Sequence, residues 1–390
     1  MIQELKQRQK RTQKLMADYH IDGILILDSV DLFYYGHSMQ LFAIYIPVDK
    51  DALVFYRSAG EKITGECPLE LIKINSLKEI PAQLTQHSIS LPKRLGFEYE
   101  VVPVALYKKA KEIFSTADFV DASQVIAETR MIKSDYEIAA FRECGKMVHK
   151  VYSDVKNILH VGMSELEVAR EIEYALRKES HLGPCRMHSF NLEAFYGHVL
   201  SGSNGNIPSS LDITLGGQGM NSAFSIGPGD KKIAKGEAVV VDYLCNFNGY
   251  HIDTTRVYVI GSLPDVLAEQ QENLTAMYNQ VKTLLKPGAV CEDIYYKIEN
   301  MAKERGVIEH FMGYREERAG FLGHAIGLET DEYPAIAPKL KQPLAVNMTI
   351  AVEPKLFFPP YGLIGLEDTF LITENGCEDF AKLPPEVFAI

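Results

Sequence analysis

Apolar residues recur at helical spacing across positions 2 to 19, where Leu5, Leu15, Met16 and Tyr19 share one face. The following IDGILILD, residues 21 to 28, reads as a short buried strand. Further strand-like runs, FAIYIPV and ALVFY, alternate with polar turns, so the first third predicts an α/β unit of its own. The pattern changes near 126 to 134. Ser134-Asp135-Tyr136-Glu137 has the form of a capping box, in which Ser134 caps the helix and Glu137 reaches back to it. Behind it Ile138, Phe141, Val148, Val151, Val155 and Ile158 recur at three- and four-residue steps, which predicts a long amphipathic helix opening a second domain. Ser164-Glu165-Leu166-Glu167 repeats the capping signal for a helix to about residue 178. Two later helices are expected near 265 to 285 and 291 to 304, with strands at AVVVDYL, HIDTTRVYVI, MTIAVE and GLEDTFLI. The expected organisation is a smaller α/β domain over 1 to 125 and an α+β domain over 126 to 390.

Composition narrows the function. The chain has 390 residues, 46% hydrophobic and 24% charged, which is ordinary for a folded protein of about two domains. A net charge of -12 disfavours nucleic acid as a partner, because phosphate binding needs clustered Lys and Arg. The six Cys are scattered with no C-x-x-C pair, so reduced thiols are expected rather than a disulfide framework or a zinc knuckle. Charges run through the first 20 residues and no stretch reaches about 18 apolar residues, so neither a signal peptide nor a membrane span is expected, and the cytoplasm is the expected location.

The chemistry-bearing residues lie in the second domain. Two β-rich runs flank Asn248-Gly249, a dipeptide suited to the positive φ angles of a tight hairpin, which brings Asp242 and Asp253 opposite or diagonal to one another on one face. An Asp near a turn is commonly a turn or cap residue. Asp242, however, follows four apolar residues inside a strand, and two carboxylates so close repel unless one is protonated or a cation neutralises both. Gly323-His324-Ala325-Ile326-Gly327, Glu353 at the end of MTIAVE and Glu367 within GLEDTFLI add a His and two more carboxylates in apolar runs, where an unpaired charge is expensive. Four carboxylates and an imidazole suit two divalent ions about 3.5 to 4 Å apart. The absence of Cys from the set favours Mn²⁺, Co²⁺ or Fe²⁺ over a structural zinc, with Mn²⁺ or Co²⁺ first and Fe²⁺ or Zn²⁺ behind. The expected nucleophile is a metal-bound hydroxide.

The same residues carry a family resemblance. From about 125 to 375 the chain resembles the pita-bread metallohydrolases, which include methionine aminopeptidase, aminopeptidase P, prolidase and creatinase, and especially the two-domain prolidase and aminopeptidase P branch. The family's D-x-G-x(n)-G-Y-x-x-D-x-T-R stretch is matched by Asp242, Gly249-Tyr250 and Asp253-Thr254-Thr255-Arg256. Its G-H-G-I-G-L, E-P and E-D-T stretches are matched around His324, by Glu353-Pro354 and by Glu367-Asp368-Thr369. The resemblance implies a C-terminal pita-bread domain behind a creatinase-type N-terminal domain, and Asp242, Asp253, His324, Glu353 and Glu367 as metal ligands. It also implies Glu353 as a proton relay and a homodimer.

Three departures stand beside these matches. Ser209 follows Pro208 where the resembling enzymes have Pro-His, Asp331-Glu332 stand where they have His-Glu, and Gly365 stands where they often have Arg. His188 and His198 are upstream candidates for proton carriers, although a lone His is more often a core or surface residue. The expected function is metal-dependent hydrolysis of an amide bond in a small peptide or other small amide, first of all Xaa-Pro dipeptides or peptides, with slow turnover of ordinary Xaa-Pro dipeptides. The alternatives are a non-peptidase C–N hydrolase of the creatinase kind and a binding protein that has lost the chemistry.

Overall fold

The computed structural model describes residues 1–183, 185–188 and 196–390. The chain divides into two compact units, 1–130 and 131–390. Among the described residues no helix is long and apolar enough to cross a membrane.

The first unit is a mixed six-stranded sheet flanked by helices. Its strands are Gly23–Ile26, Ala43–Pro47, Leu53–Tyr56, Leu71–Lys73, Arg94–Phe97 and Asp118–Asp121. Numbered along the chain, they lie in the spatial order 4-3-2-1-5-6. The opening helix, Ile2–Asp18, buries Leu5 and Met16 as its spacing predicts, and also Arg8 and Thr12. Arg8 is satisfied by Glu4 and by the Tyr34 carbonyl, so a buried cation here has a structural role. Leu25, Tyr45, Phe55, Leu95, Phe97 and Phe119 form the core on the sheet.

The second unit opens with the helix Asp135–Ile158, where Ser134 Oγ accepts from Glu137 N and Glu137 Oε2 accepts from Ser134 N. The same reciprocal pair, Ser164 with Glu167, starts the helix Glu165–Lys178. Two sheets follow. One has the order Phe388–Ala389, Tyr250–Val259, Ala238–Phe247, Gly197–Ser201. The other runs Glu332–Ile336, Gly323–Ala325, Thr349–Val352, Asp368–Thr373, Gly376–Asp379. A backbone bridge between Thr255 and Glu367 stitches the two together. The stretch expected as one helix over 265 to 285 is two, Asp265–Ala268 and Gln271–Leu284, and a third spans Cys291–Glu304. Met277, Val281, Ile294 and Ile298 on these helices pack into the core formed by Val240, Val257, Ile350 and Phe370. Both GLEDTFLI and MTIAVEP break at their acidic residue. Glu353 lies between Thr349–Val352 and the short strand Lys355–Phe358, and Glu367 lies between Gly362–Gly365 and Asp368–Thr373. Lys355–Phe358 and Gly362–Gly365 pair with each other, so each carboxylate sits where the chain leaves one sheet for the next.

Candidate metal centre

The hairpin fixes the first two carboxylates. Asn248 and Gly249 hold φ angles of 52° and 88°, both in the left-handed region that a two-residue turn of this hand requires. The register that follows pairs Asp242 with Thr255 and Leu244 with Asp253. Asp242 and Asp253 are therefore diagonal neighbours on one face, within side-chain reach. Thr254 N donates to Asp253 Oδ1, and Asp253 N donates to Thr369 Oγ1 of the neighbouring sheet.

His324 stands on the short strand Gly323–Ala325, and its Nδ1 lies 2.9 Å from the Thr330 carbonyl oxygen. A carbonyl only accepts, so Nδ1 carries a proton, and in the neutral ring Nε2 then presents its lone pair, the tautomer a metal ligand needs. Nε2 lies 3.8 Å from Glu353 Oε1. Single ligand atoms of Asp253, His324 and Glu367 lie within 4.8 Å of one another. All five expected residues line one pocket of about 60 Å³, together with Thr214, His198 and Asp331.

The electrostatics of the pocket call for a cation. Burial, with Glu367 next, pushes the Asp242 carboxyl up to about 6. Burial, then Glu367 and Asp242, push Asp253 well above the usual carboxylate range, and burial, then Glu353, raise Glu367. Burial alone would lower His324, but Asp331, Glu353 and Glu367 together outweigh it and raise it. Among the described residues, Glu367 Oε1 is buried without a hydrogen-bond partner, an expensive state unless an ion takes it. The donor set and the orphaned oxygen therefore fit a divalent metal.

A sixth residue reaches the cluster that the sequence reading missed. Lys355, fully buried, donates to Glu353 Oε2, to Glu367 Oε2 at 3.0 Å and to Thr214 Oγ1 at 3.1 Å, with Asp242 Oδ2 at 3.9 Å. Thr214 Oγ1 in turn donates to Glu353 Oε2 at 2.6 Å. The signal was present: a Lys inside the apolar run after Glu353, at the two-residue spacing that puts both on one side of extended chain.

The other candidates fall in different places. Asp331 lines the pocket, with Oδ1 3.8 Å from His324 Nδ1. Glu332 instead accepts from Leu328 N and pairs with Lys133. Ser209 Oγ accepts from Leu211 N and lines a neighbouring cavity with Tyr314 and Arg318. His188 Nδ1 lies 3.0 Å from Glu329 Oε2. His198 pairs with Asp242 across the strands, and burial, with a smaller push from Lys355, lowers it to about 3.

Residues 139–374 match the metallopeptidase family M24, and residues 8–132 match the creatinase/prolidase N-terminal domain. The chain belongs to metallopeptidase family M24. Its fold is α+β of the pita-bread kind behind a creatinase-type N-terminal domain, and it is a hydrolase. It is 26% identical over 385 residues to an Xaa-Pro dipeptidase of Pyrococcus furiosus, covering 98% of this chain and 100% of the relative. The fold is similar to that of the Xaa-Pro dipeptidase of Bacillus anthracis, with a TM-score of 0.84 at 23% identity over 99% of this chain and 100% of the other. It is also similar to the prolidase of Pyrococcus furiosus, with a TM-score of 0.78 at 25% identity over 95% and 99% of the two chains. Divalent metal ions are implied by the family.

Proposed function

We propose that this M24 enzyme hydrolyses the Xaa-Pro bond of dipeptides or small peptides, with its divalent metal held by Asp242, Asp253, His324, Glu353 and Glu367. The observation that carries this reading is the convergence of those five side chains in one pocket, with His324 Nε2 free to ligate. Bound there, a divalent ion supplies a Lewis acid for the scissile carbonyl and a water made nucleophilic at neutral pH. The oxygen-rich donor set favours Mn²⁺ or Co²⁺ ahead of Fe²⁺ and Zn²⁺. Glu353 lies beside His324 and takes the role of proton relay, while Thr214 and Lys355 fix its carboxylate. Thr255 Oγ1 orients Glu367 at 2.8 Å.

Six free thiols support a cytoplasmic setting. The homodimer rests on the sequence resemblance, and light scattering that gave a monomer mass near 43.7 kDa would argue against it.

The deciding assay compares Xaa-Pro with Xaa-Ala dipeptides using protein loaded with Mn²⁺ or Co²⁺. Xaa-Pro cleavage that stops on chelation is expected. Metal-dependent turnover confined to non-peptide C–N substrates would instead favour the creatinase-like reading, to which Asp331 in the pocket lends its weight.

A further inference from the structure

The acidic cluster has two sides, and they are filled differently. On one, Asp253, His324 and Glu367 converge, and Glu353 turns Oε1 toward the imidazole. On the other, Glu353 Oε2, Glu367 Oε2 and Thr214 Oγ1 surround the ammonium of Lys355, with Asp242 Oδ2 close by. An ammonium has three protons, and these three acceptors use all of them. Lys355 therefore has no donor left to offer a substrate, and its part is that of a fixed charge which positions the carboxylates.

The stem of Lys355 is built in as firmly as its head. Lys355 faces Gly365 across the short two-stranded sheet. A Cβ at position 365 would lie 2.8 Å from Lys355 Cγ, so only glycine there leaves the stem its path. The same position departs from the Arg often found in the resembling enzymes, and here its lack of a side chain leaves room for the Lys355 stem.

We propose that the Lys355 ammonium stands where a second metal ion would bind, so that this chain takes one divalent ion, at Asp253, His324, Glu353 and Glu367. Two facts exclude a second ion beside it. Glu367 Oε2 and Asp242 Oδ2, which that ion would need, face the ammonium. A divalent charge placed within about 4 Å of Lys355 would also meet strong repulsion where water is excluded. The inference rests on the metallopeptidase reading but revises its expected stoichiometry from two ions to one and its ligand set from five residues to four, with Asp242 Oδ2 turned toward the ammonium.

The test uses full-length protein purified without chelator, loaded with excess Mn²⁺ and freed of unbound ion. Elemental analysis should find one Mn²⁺ per chain, with the spectrum of an uncoupled Mn²⁺ in paramagnetic resonance. In Lys355→Ala the count should rise to two, and an exchange-coupled signal should appear. Gly365→Val, which crowds the Lys355 stem, should raise the count in the same direction. Two tightly held, coupled ions in the unaltered protein would overturn the proposal whether or not either variant folds, and so would a count of one in a folded Lys355→Ala. A count of zero in the unaltered protein would instead overturn the metallopeptidase reading beneath it.

Discussion

Glu367 is the residue on which most of the site depends. Its Oε2 accepts from Thr255 and Lys355, its Oε1 is buried without a hydrogen-bond partner among the described residues, and its backbone bridges the two sheets at Thr255. Its carbonyl accepts from Arg256, which is fully buried, makes an ion pair with Asp368 at 2.7 Å and is also held by the Leu383 and Pro384 carbonyls. The E-D-T and D-x-T-R motifs are thus two sides of one joint. Glu367→Ala should remove the bound metal and abolish turnover. Thr255→Val should leave the fold intact and weaken metal binding about 10- to 100-fold, the usual effect of losing a group that orients a ligand. Isothermal titration with Mn²⁺ measures both, and a Thr255→Val affinity equal to that of the unaltered protein would show that Lys355 alone orients the carboxylate. The five candidate ligands were legible as a set because each is a titratable group set among apolar residues. Lys355 was equally embedded but passed unread, because lysine is ordinarily read as a surface residue and not as part of an acidic cluster.

At the scale of elements, the capping boxes at Ser134 and Ser164 and the Asn248-Gly249 turn specify their structures locally, and sequence alone sufficed for them. The breaks at Glu353 and Glu367 were not legible, since a strand that changes sheets mid-run keeps its apolar pattern while its partners change. Position 209 belongs to the same class. Its side chain closes a turn on Leu211 and faces the cavity beside Tyr314, not the acidic pocket. Ser209→His should therefore leave Xaa-Pro cleavage within about twofold of the unaltered rate, well short of the roughly 10² or more that a positioned general acid or base contributes. A larger gain would mean that the Asn206–Thr214 segment brings position 209 to the substrate. The strand Gly197–Ser201 makes a separate prediction through His198. Its folded pKa of about 3 lies below the ordinary 6.5, so between these values the unfolded chain binds a proton that the folded one does not. Its contribution to stability is present above pH 6.5 and is lost as pH falls. The loss amounts to about 2 kcal/mol by pH 5, from 1.36 kcal/mol per unit. Urea unfolding at pH 7 and pH 5 should show that His198→Leu is less sensitive to the change than the unaltered protein. Equal sensitivity would place the proton elsewhere.

At the scale of the whole molecule, the ion and the fold are linked through only part of the chain. The proposed ligands come from strands and joints between 242 and 367, and the elements carrying them share one core with the helices Gln271–Leu284 and Cys291–Glu304. Residues 1–130 form their own compact unit around their own core and supply none of the ligands. Without a bound ion the four carboxylates, offset in part by Lys355 and His324, work against folding of the second unit, and an ion that binds only the folded state adds its binding energy there. At about one hundred times its dissociation constant the ion should add about 2.7 kcal/mol. Hydrogen exchange with and without Mn²⁺ should thus show slower exchange throughout the strands Ala238–Phe247, Tyr250–Val259, Thr349–Val352 and Asp368–Thr373. The strands Gly23–Ile26, Ala43–Pro47 and Arg94–Phe97 should exchange at an unchanged rate. In the Lys355→Ala protein the contrast should widen, because the metal-free state then lacks the ammonium that Glu353 and Glu367 share. Equal slowing in both units would show that they open together as one cooperative body, so that metal binding in the second governs the stability of the first.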